Sequence, residues 1–370
     1  MNDAQRIIIK LGTSVLTGGT RRLDRRRILE IVRQVVQVYE AGHRVALVSS
    51  GAIAAGREAL GNPALDRSVP AKQMLSAVGQ GRLIQLYSEM FGLFDIRVAQ
   101  ILLTRGDLAQ RTGYLNARDT LLTLLAHRIV PVINENDTIA TDEIKVGDND
   151  NLSALVANLI DADLLILLTD QLGLFSADPR TDPDARLISF VERIDESIWA
   201  LAGGTVTGLG TGGMVTKLQA AQLAGHSGTT TVIASGALPD VIPDIVAGRP
   251  VGTRFAPQTT HRESRKRWFL SEKPQGSISI DQGAAERLRN GGASLLPVGI
   301  TGVSGEFDRG AAVHVLAPGG KSIAAGMTNY ASHEIRQLIG VRSAQIATIL
   351  GYTYGDEVIH RDNLAVLQQP

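Results

Sequence analysis

The chain has 370 residues, 44% of them hydrophobic and 20% charged, with 37 Lys+Arg against 37 Asp+Glu and no cysteine. That length exceeds one small core and favours two domains, and with a net charge of zero nothing global argues for nucleic acid or an anionic membrane as the main partner. Without cysteine there are no disulfides, no thiolate zinc site and no cysteine nucleophile. The apolar runs are too short to span a membrane or to form the core of a signal peptide, so a cytoplasmic location is expected.

Ile7-Ile8-Ile9 reads as a first buried strand, followed directly by Lys10-Leu11-Gly12-Thr13-Ser14. A lysine at the carboxyl end of a strand, then glycine and hydroxyls, sets an ammonium and backbone N–H groups where a phosphate can sit. An ordinary βα turn with a solvated lysine fits the same residues. Arg25 to Glu40 carries apolar residues at Ile28, Ile31, Val32, Val35, Val36 and Tyr39, a helical stripe that Ala41-Gly42-His43 stops. Val45-Ala46-Leu47-Val48 is a second strand. After it, the small residues Ser49-Ser50-Gly51-Ala52 let backbone amides approach an anion, with a helix from Ile53 adding its dipole. A plain helix start explains them equally well.

Residues 98–103, 129–133 and 164–168 read as further strands, with Pro131 counting against the 129–133 strand because proline cannot donate to a ladder. Two polar clusters follow, Asn134-Glu135-Asn136-Asp137 and Asp148-Asn149-Asp150-Asn151, with Lys145 between them and a helical stripe (Leu152, Leu155, Val156, Leu159, Ile160) behind. Capping and turn chemistry accounts for one such cluster; two together suggest a site for a small charged substrate. Asp137 can accept from an ammonium and Asn149 can donate to a carboxylate, a combination that suits an amino acid. A calcium loop starting at Asp148 is set aside, because the glycine it requires is missing.

Residues 203–217 form a glycine-rich loop ending Gly208-Leu209-Gly210-Thr211-Gly212-Gly213-Met214-Val215-Thr216-Lys217. Its glycines match a dinucleotide fingerprint formally, but no strand runs into the first of them, and no Walker A ending is present. What remains is a lid that delivers Lys217 at the start of a helix. Residues 230–234 give a last strand. Beyond residue 252, Arg262, Arg265, Lys266 and Arg267 form a basic, helix-like connector up to Trp268. From Gln275 onward, short glycine-punctuated runs point to a small β-rich domain. His43, His127 and His226 stand near helix ends as caps rather than catalysts.

In order, Lys10 to Thr17, Ser49 to Gly56, Leu115-Asn116-Ala117-Arg118-Asp119-Thr120, Pro131 to Asp137, Ile144 to Leu155, Leu168-Thr169-Asp170 and Thr211 to Lys217 resemble the amino acid kinase family, with no departure at a motif position. The part from about Gln275 to Tyr352 looks like a PUA domain. The resemblance implies a three-layer sandwich around a mostly parallel sheet in residues 1–252, a linker in 253–274, a PUA domain in 275–353 and a tail in 354–370. It further implies transfer of a phosphoryl group from ATP, with Mg²⁺, to the γ-carboxylate of L-glutamate for proline synthesis. Lys10 and Lys217 would be electrostatic stabilisers and Asp150 the organiser of both. The acceptor would meet Ser50, Gly51, Ala52, Asn134, Asp137 and Asn149. ATP would meet Lys10, Gly12, Thr169, Asp170, Thr211, Gly212, Gly213, Met214, Val215, Thr216 and Lys217. Mg²⁺ would be held mainly by nucleotide phosphates with no dedicated protein ligand set, proline would inhibit near residues 137–145, and the chain would be a homo-oligomer.

Two alternatives stay open at this point. One is another carboxylate or carbamate kinase of the same family, since phosphate-handling loops do not choose the acceptor. The other is RNA binding through the β-rich domain. Against the second, residues 275–353 carry six Lys+Arg and five Asp+Glu, a net of +1 and a poor footprint for RNA.

Overall fold

A computed structural model describes residues 4–66, 68–140, 149–203, 213–261, 263–264, 273–290 and 292–367. The chain divides into two compact units, residues 1–260 and 261–370. Among the described residues no helix is long and apolar enough to cross a membrane.

The first unit is built on an eight-stranded sheet in the order β3-β4-β2-β1-β5-β7-β8-β6. These strands are β1 (Arg6–Leu11), β2 (Arg44–Ser49), β3 (Val98–Leu103), β4 (Val130–Glu135), β5 (Leu164–Thr169), β6 (Phe190–Val191), β7 (Thr230–Ser235) and β8 (Thr253–Phe255). All neighbours run parallel except β7 and β8. Strand residues alternate between two cores, as a pleat of period two requires. Ile7, Ile9, Val45, Leu47, Ile166 and Leu168 enter one, and Ile8, Ala46, Val48, Leu165 and Leu167 enter the other. Helix α2 (Arg25–Glu40) closes the first face through Ile28, Ile31, Val32 and Val35; α7 (Asn149–Leu159) and α9 (Met214–Gly225) close the second through Val156, Leu218 and Ala221. The result is the expected three-layer α/β sandwich.

Pro131 lies inside β4 after all. The Val130 N–H donates to Arg97 O on the β3 side, so the next backbone nitrogen faces β2, where pairing starts only at Leu47↔Val132. Proline therefore occupies the one step of that ladder where no donor is required. The strand also runs on through Asn134 and Glu135, so the first polar cluster begins as the carboxyl end of a strand rather than as a turn.

The sequence placed the end of the first domain at residue 252, yet β8 pairs antiparallel with β7, and Phe255 is buried in the second core. The second unit is a mostly antiparallel five-stranded sheet, order β10-β9-β11-β12-β13, comprising β9 (Gly276–Ile280), β10 (Ile300–Ser304), β11 (Ala312–Leu316), β12 (Ser322–Met327) and β13 (Leu364–Val366). The segment read as a tail supplies β13 and the fully buried Val358 and Ile359. Three-residue strands such as β8 and β13 are too short to show a period, which is why sequence pattern missed both. Most of the basic connector (Arg262, Arg265, Lys266, Arg267, Trp268) lies outside the described residues.

Candidate active site

After β1 the chain turns onto one face of the sheet through α2 and continues to β2 on one side; after β5 it returns by α9 on the other face to β7 on the opposite side. The crevice beyond the carboxyl ends of β1 and β5 is thus a topological switch point, where open α/β sheets bind ligands. Lys10 to Gly12 closes β1, Ser49-Ser50 ends β2, Asn134-Glu135 ends β4 and Thr169-Asp170 ends β5. Helix α7 brings its first residues, Asn149 and Asp150, to the same crevice.

At the centre, Asp150 is bracketed by two ammonium groups, with Lys10 Nζ 2.6 Å from Oδ1 and Lys217 Nζ 3.2 Å from Oδ2. Thr216 Oγ1 donates to Oδ2 at 2.7 Å. Burial alone would push the Asp150 carboxyl up; the two lysines and the Thr216 hydroxyl outweigh it and hold the group at about 2. The triad carries a net positive charge and is almost fully buried. Gly213 caps α9 at φ +76°, a conformation that favours glycine, and so swings the helix start and Lys217 into the crevice. The far end of α7 is fixed as well. Arg118 donates to Leu159 O and pairs with Asp161 Oδ2 at 2.8 Å, and Arg6 Nη1 donates to Ile160 O at 2.8 Å. Guanidinium groups there satisfy the last carbonyls and the helix dipole, which gives the Leu115-to-Thr120 motif a structural task.

Two clefts adjoin and share Thr13 and Ser50 in their walls, and the triad lines the second of them. One, of about 630 Å³, is lined by Ser50, Gly51, Ala52, Asn134, Asp137 and Asn149. Asn149 Nδ2 donates to Ser50 Oγ and to Asn134 Oδ1, each at 3.0 Å, while Asn149 Oδ1 is buried with no partner among the described residues. The sequence expected Asn149 to offer a donor; the side-chain atom left over is an acceptor. Asp137 Oδ2 accepts from Ser76 Oγ at 2.6 Å, and burial pushes its carboxyl up against that bond. Gly51, at φ +104°, starts α3 (Ala52–Ala59) with no side-chain cap, so the first N–H groups of the helix face the cleft.

The other cleft, of about 960 Å³, is lined by Lys10, Gly12, Thr169, Asp170, Gly213, Met214, Thr216 and Lys217. Thr169 Oγ1 donates to Asp170 Oδ1 at 3.0 Å. Val215, expected beside the nucleotide, buries its side chain in the second core. Thr211, Gly212, Lys145 and Asp148 lie outside the described residues. Sequence reasoning missed the cations Arg57 and Lys72 on the first cleft and the polar face of α4 (Val69–Gly92) that carries Ser76 and Gln80. Of the histidines, His127 and His226 are C-caps of helices, while His43 accepts from the Gln5 N–H instead.

Residues 5–235 match the amino acid kinase family, and residues 276–350 match the PUA domain. The chain belongs to the amino acid kinase family. Within that family it is 56% identical to the glutamate 5-kinase of Cronobacter sakazakii over 364 residues, 98% of this chain and 99% of that one. It is 55% identical to the glutamate 5-kinase of Herpetosiphon aurantiacus over 360 residues, 97% of each chain. Among solved structures, carbamate kinase from Giardia lamblia bound to AMP-PNP superposes with a TM-score of 0.50 at 20% identity, covering 69% of this chain and 99% of that one. This likeness covers the amino acid kinase fold alone. The chain is a kinase of this family with an appended PUA domain.

Proposed function

We propose that this cytoplasmic enzyme transfers the γ-phosphoryl group of ATP to the γ-carboxylate of L-glutamate, giving L-glutamyl 5-phosphate, the first step towards proline. The observation that carries the proposal is the Lys10–Asp150–Lys217 triad lining one cleft, which adjoins a second cleft of different chemistry at Thr13 and Ser50. Transfer between two anions needs positive charge spread over the moving group and an in-line approach, with little covalent work from the protein. Lys10 and Lys217 supply that charge from two elements, and Asp150 holds both ammonium groups in place. ATP occupies the cleft of Gly12, Thr169, Asp170 and Gly213 to Lys217, with Thr211 and Gly212 completing its loop.

L-Glutamate occupies the other cleft. Its α-ammonium group meets the Asp137 carboxylate and the unpartnered Asn149 oxygen, and its carboxylates meet the free N–H groups after Gly51 and the Ser50 hydroxyl. Mg²⁺ fits best on the nucleotide phosphates: both oxygens of Asp150 are already engaged, and no cluster of three or more His, Asp or Glu gathers among the described residues. When bound, the ion neutralises phosphate charge. Inhibition by proline through residues 137–145 and a homo-oligomeric state belong to the same reading.

The test is ATP-dependent acyl phosphate formation, trapped as a hydroxamate with hydroxylamine. Product with glutamate supports the assignment; product only with another acid, or with carbamate, overturns it. Asp137→Ala removes the partner of the α-ammonium and is expected to raise KM for glutamate about 30- to 100-fold, with KM for ATP little changed. Equal rises for both substrates would remove Asp137 from the acceptor site.

A further inference from the structure

The two asparagines of the acceptor cleft are ordered by a residue that never touches the cleft's centre. A backbone carbonyl can only accept, so the Asn149 atom facing Ser49 O at 3.4 Å is its amide nitrogen. That nitrogen also donates to Asn134 Oδ1 at 3.0 Å, which obliges Asn134 to point its own Nδ2 the other way. Asn134 is buried, so that Nδ2 needs an acceptor, and Gln80 Oε1 in α4 provides one at 2.8 Å. One turn earlier on the same helix face, Ser76 donates to Asp137 at 2.6 Å. A head-to-tail amide chain thus runs from α4 through β4 to α7 and the β2–α3 turn. Its polarity is what leaves Asn149 Oδ1 without a partner among the described residues.

We propose that Gln80 is a positioning residue for the phosphoryl acceptor: its side-chain oxygen fixes the amide orientation of Asn134 and, through it, of Asn149. The inference rests on the glutamate reading of the cleft. Without an acceptor at position 80, Asn134 must either bury an unsatisfied N–H or rotate its amide. Rotation would bring its NH₂ against the NH₂ of Asn149 and break the chain. Either result weakens acceptor binding and leaves the lysine triad alone, because Lys10, Lys217 and Asp150 form no hydrogen bond with the chain among those described.

The experiment compares Gln80→Met, which keeps length and loses the acceptor, with Gln80→Glu, which keeps an acceptor oxygen at the same place. KM for glutamate, KM for ATP and kcat are measured on the full chain by hydroxamate formation. Gln80→Met is expected to raise KM for glutamate about tenfold, with kcat and KM for ATP changed less than about twofold, and Gln80→Glu to recover most of the loss. Equal defects in the two variants, a loss shared by both substrates, or no change in Gln80→Met would overturn the proposal. If the unsubstituted enzyme phosphorylates a different acid, the same constants are read for that acid, so failure of the substrate assignment and failure of the relay give different results.

Discussion

Asp150→Asn is expected to lower kcat about a thousandfold or more while leaving the Michaelis constant for glutamate within a few-fold of its starting value. The carboxylate forms an ion pair with Lys10 through one oxygen and accepts from Lys217 and Thr216 through the other. An amide of the same shape offers one acceptor only; its NH₂ must face either an ammonium or a hydroxyl that needs an acceptor. One lysine then loses its partner inside a nearly dry site, and removing one member of a buried ion pair costs about 3–5 kcal/mol. Each electrostatic stabiliser aimed at the transition state is worth roughly 10²–10³ in rate, so misplacing one and weakening the other gives the stated loss. The first cleft contains none of the three triad residues, so the Michaelis constant for glutamate should move little, whereas that for ATP, whose cleft includes Lys10 and Lys217, should rise. A kcat within tenfold of the unsubstituted enzyme would remove Asp150 from the centre of the mechanism.

The same residue predicts a pH signature. Its folded value of about 2 lies below the ordinary 3.8, so its contribution to stability is fully present above pH 4 and is lost as pH falls towards 2. The difference corresponds to roughly 2 kcal/mol. Denaturant titrations at pH 7 and pH 3 should therefore converge more closely for Asp150→Asn than for the native chain.

The strands of the central sheet were legible because buried parallel strands are continuous apolar runs: Ile7 to Ile9, Val45 to Val48 and Leu164 to Leu168 carry no competing signal. The lysines and the two polar clusters were legible for the opposite reason, since core packing gives no cause to place Lys10, Asp137 or Asp150 next to such runs. What stayed hidden was relational. Ser76 and Gln80 sit four residues apart on α4, a spacing that in sequence reads as any solvated helix face; only the fold brings Asp137 and Asn134 against it. The helix was itself obscure, because Gly79 and Gly81 interrupt it and apolar side chains fall on more than one face, with Met74 and Val78 exposed. Val215, the second residue of α9, is hidden in the same way: only the fold turns its side chain into the core while Met214 and Lys217 line the second cleft.

Those two glycines in α4 yield the other large effect, in which positions two residues apart respond with opposite sign. A Cβ on Gly79 would stand 1.8 Å from Ala52 O and 2.3 Å from Gly56 N, and one on Gly56 would stand 1.8 Å from Leu75 O. Helices α3 and α4 therefore cross with their backbones in contact, and no side-chain rotation can relieve an added methyl. Gly81, two residues on in the same helix, has open space around the same position. Alanine gains about 1 kcal/mol over glycine in a helix interior. At Gly81 that gain stands alone, so Gly81→Ala should stabilise the chain by about 0.5–1 kcal/mol. At Gly79 it is outweighed by overpacking against backbone, which should cost about 3 kcal/mol or more net and lower the melting temperature by roughly 6–12 °C. Separating the helices also draws Gln80 and Ser76 away from Asn134 and Asp137, so the surviving Gly79→Ala enzyme should show a raised KM for glutamate while Gly81→Ala keeps the native value. Thermal melts and acceptor kinetics on the two variants decide the matter. A stabilised Gly79→Ala would mean that the helices stand further apart than 1.8 Å allows, and that the acceptor cleft does not depend on their close crossing.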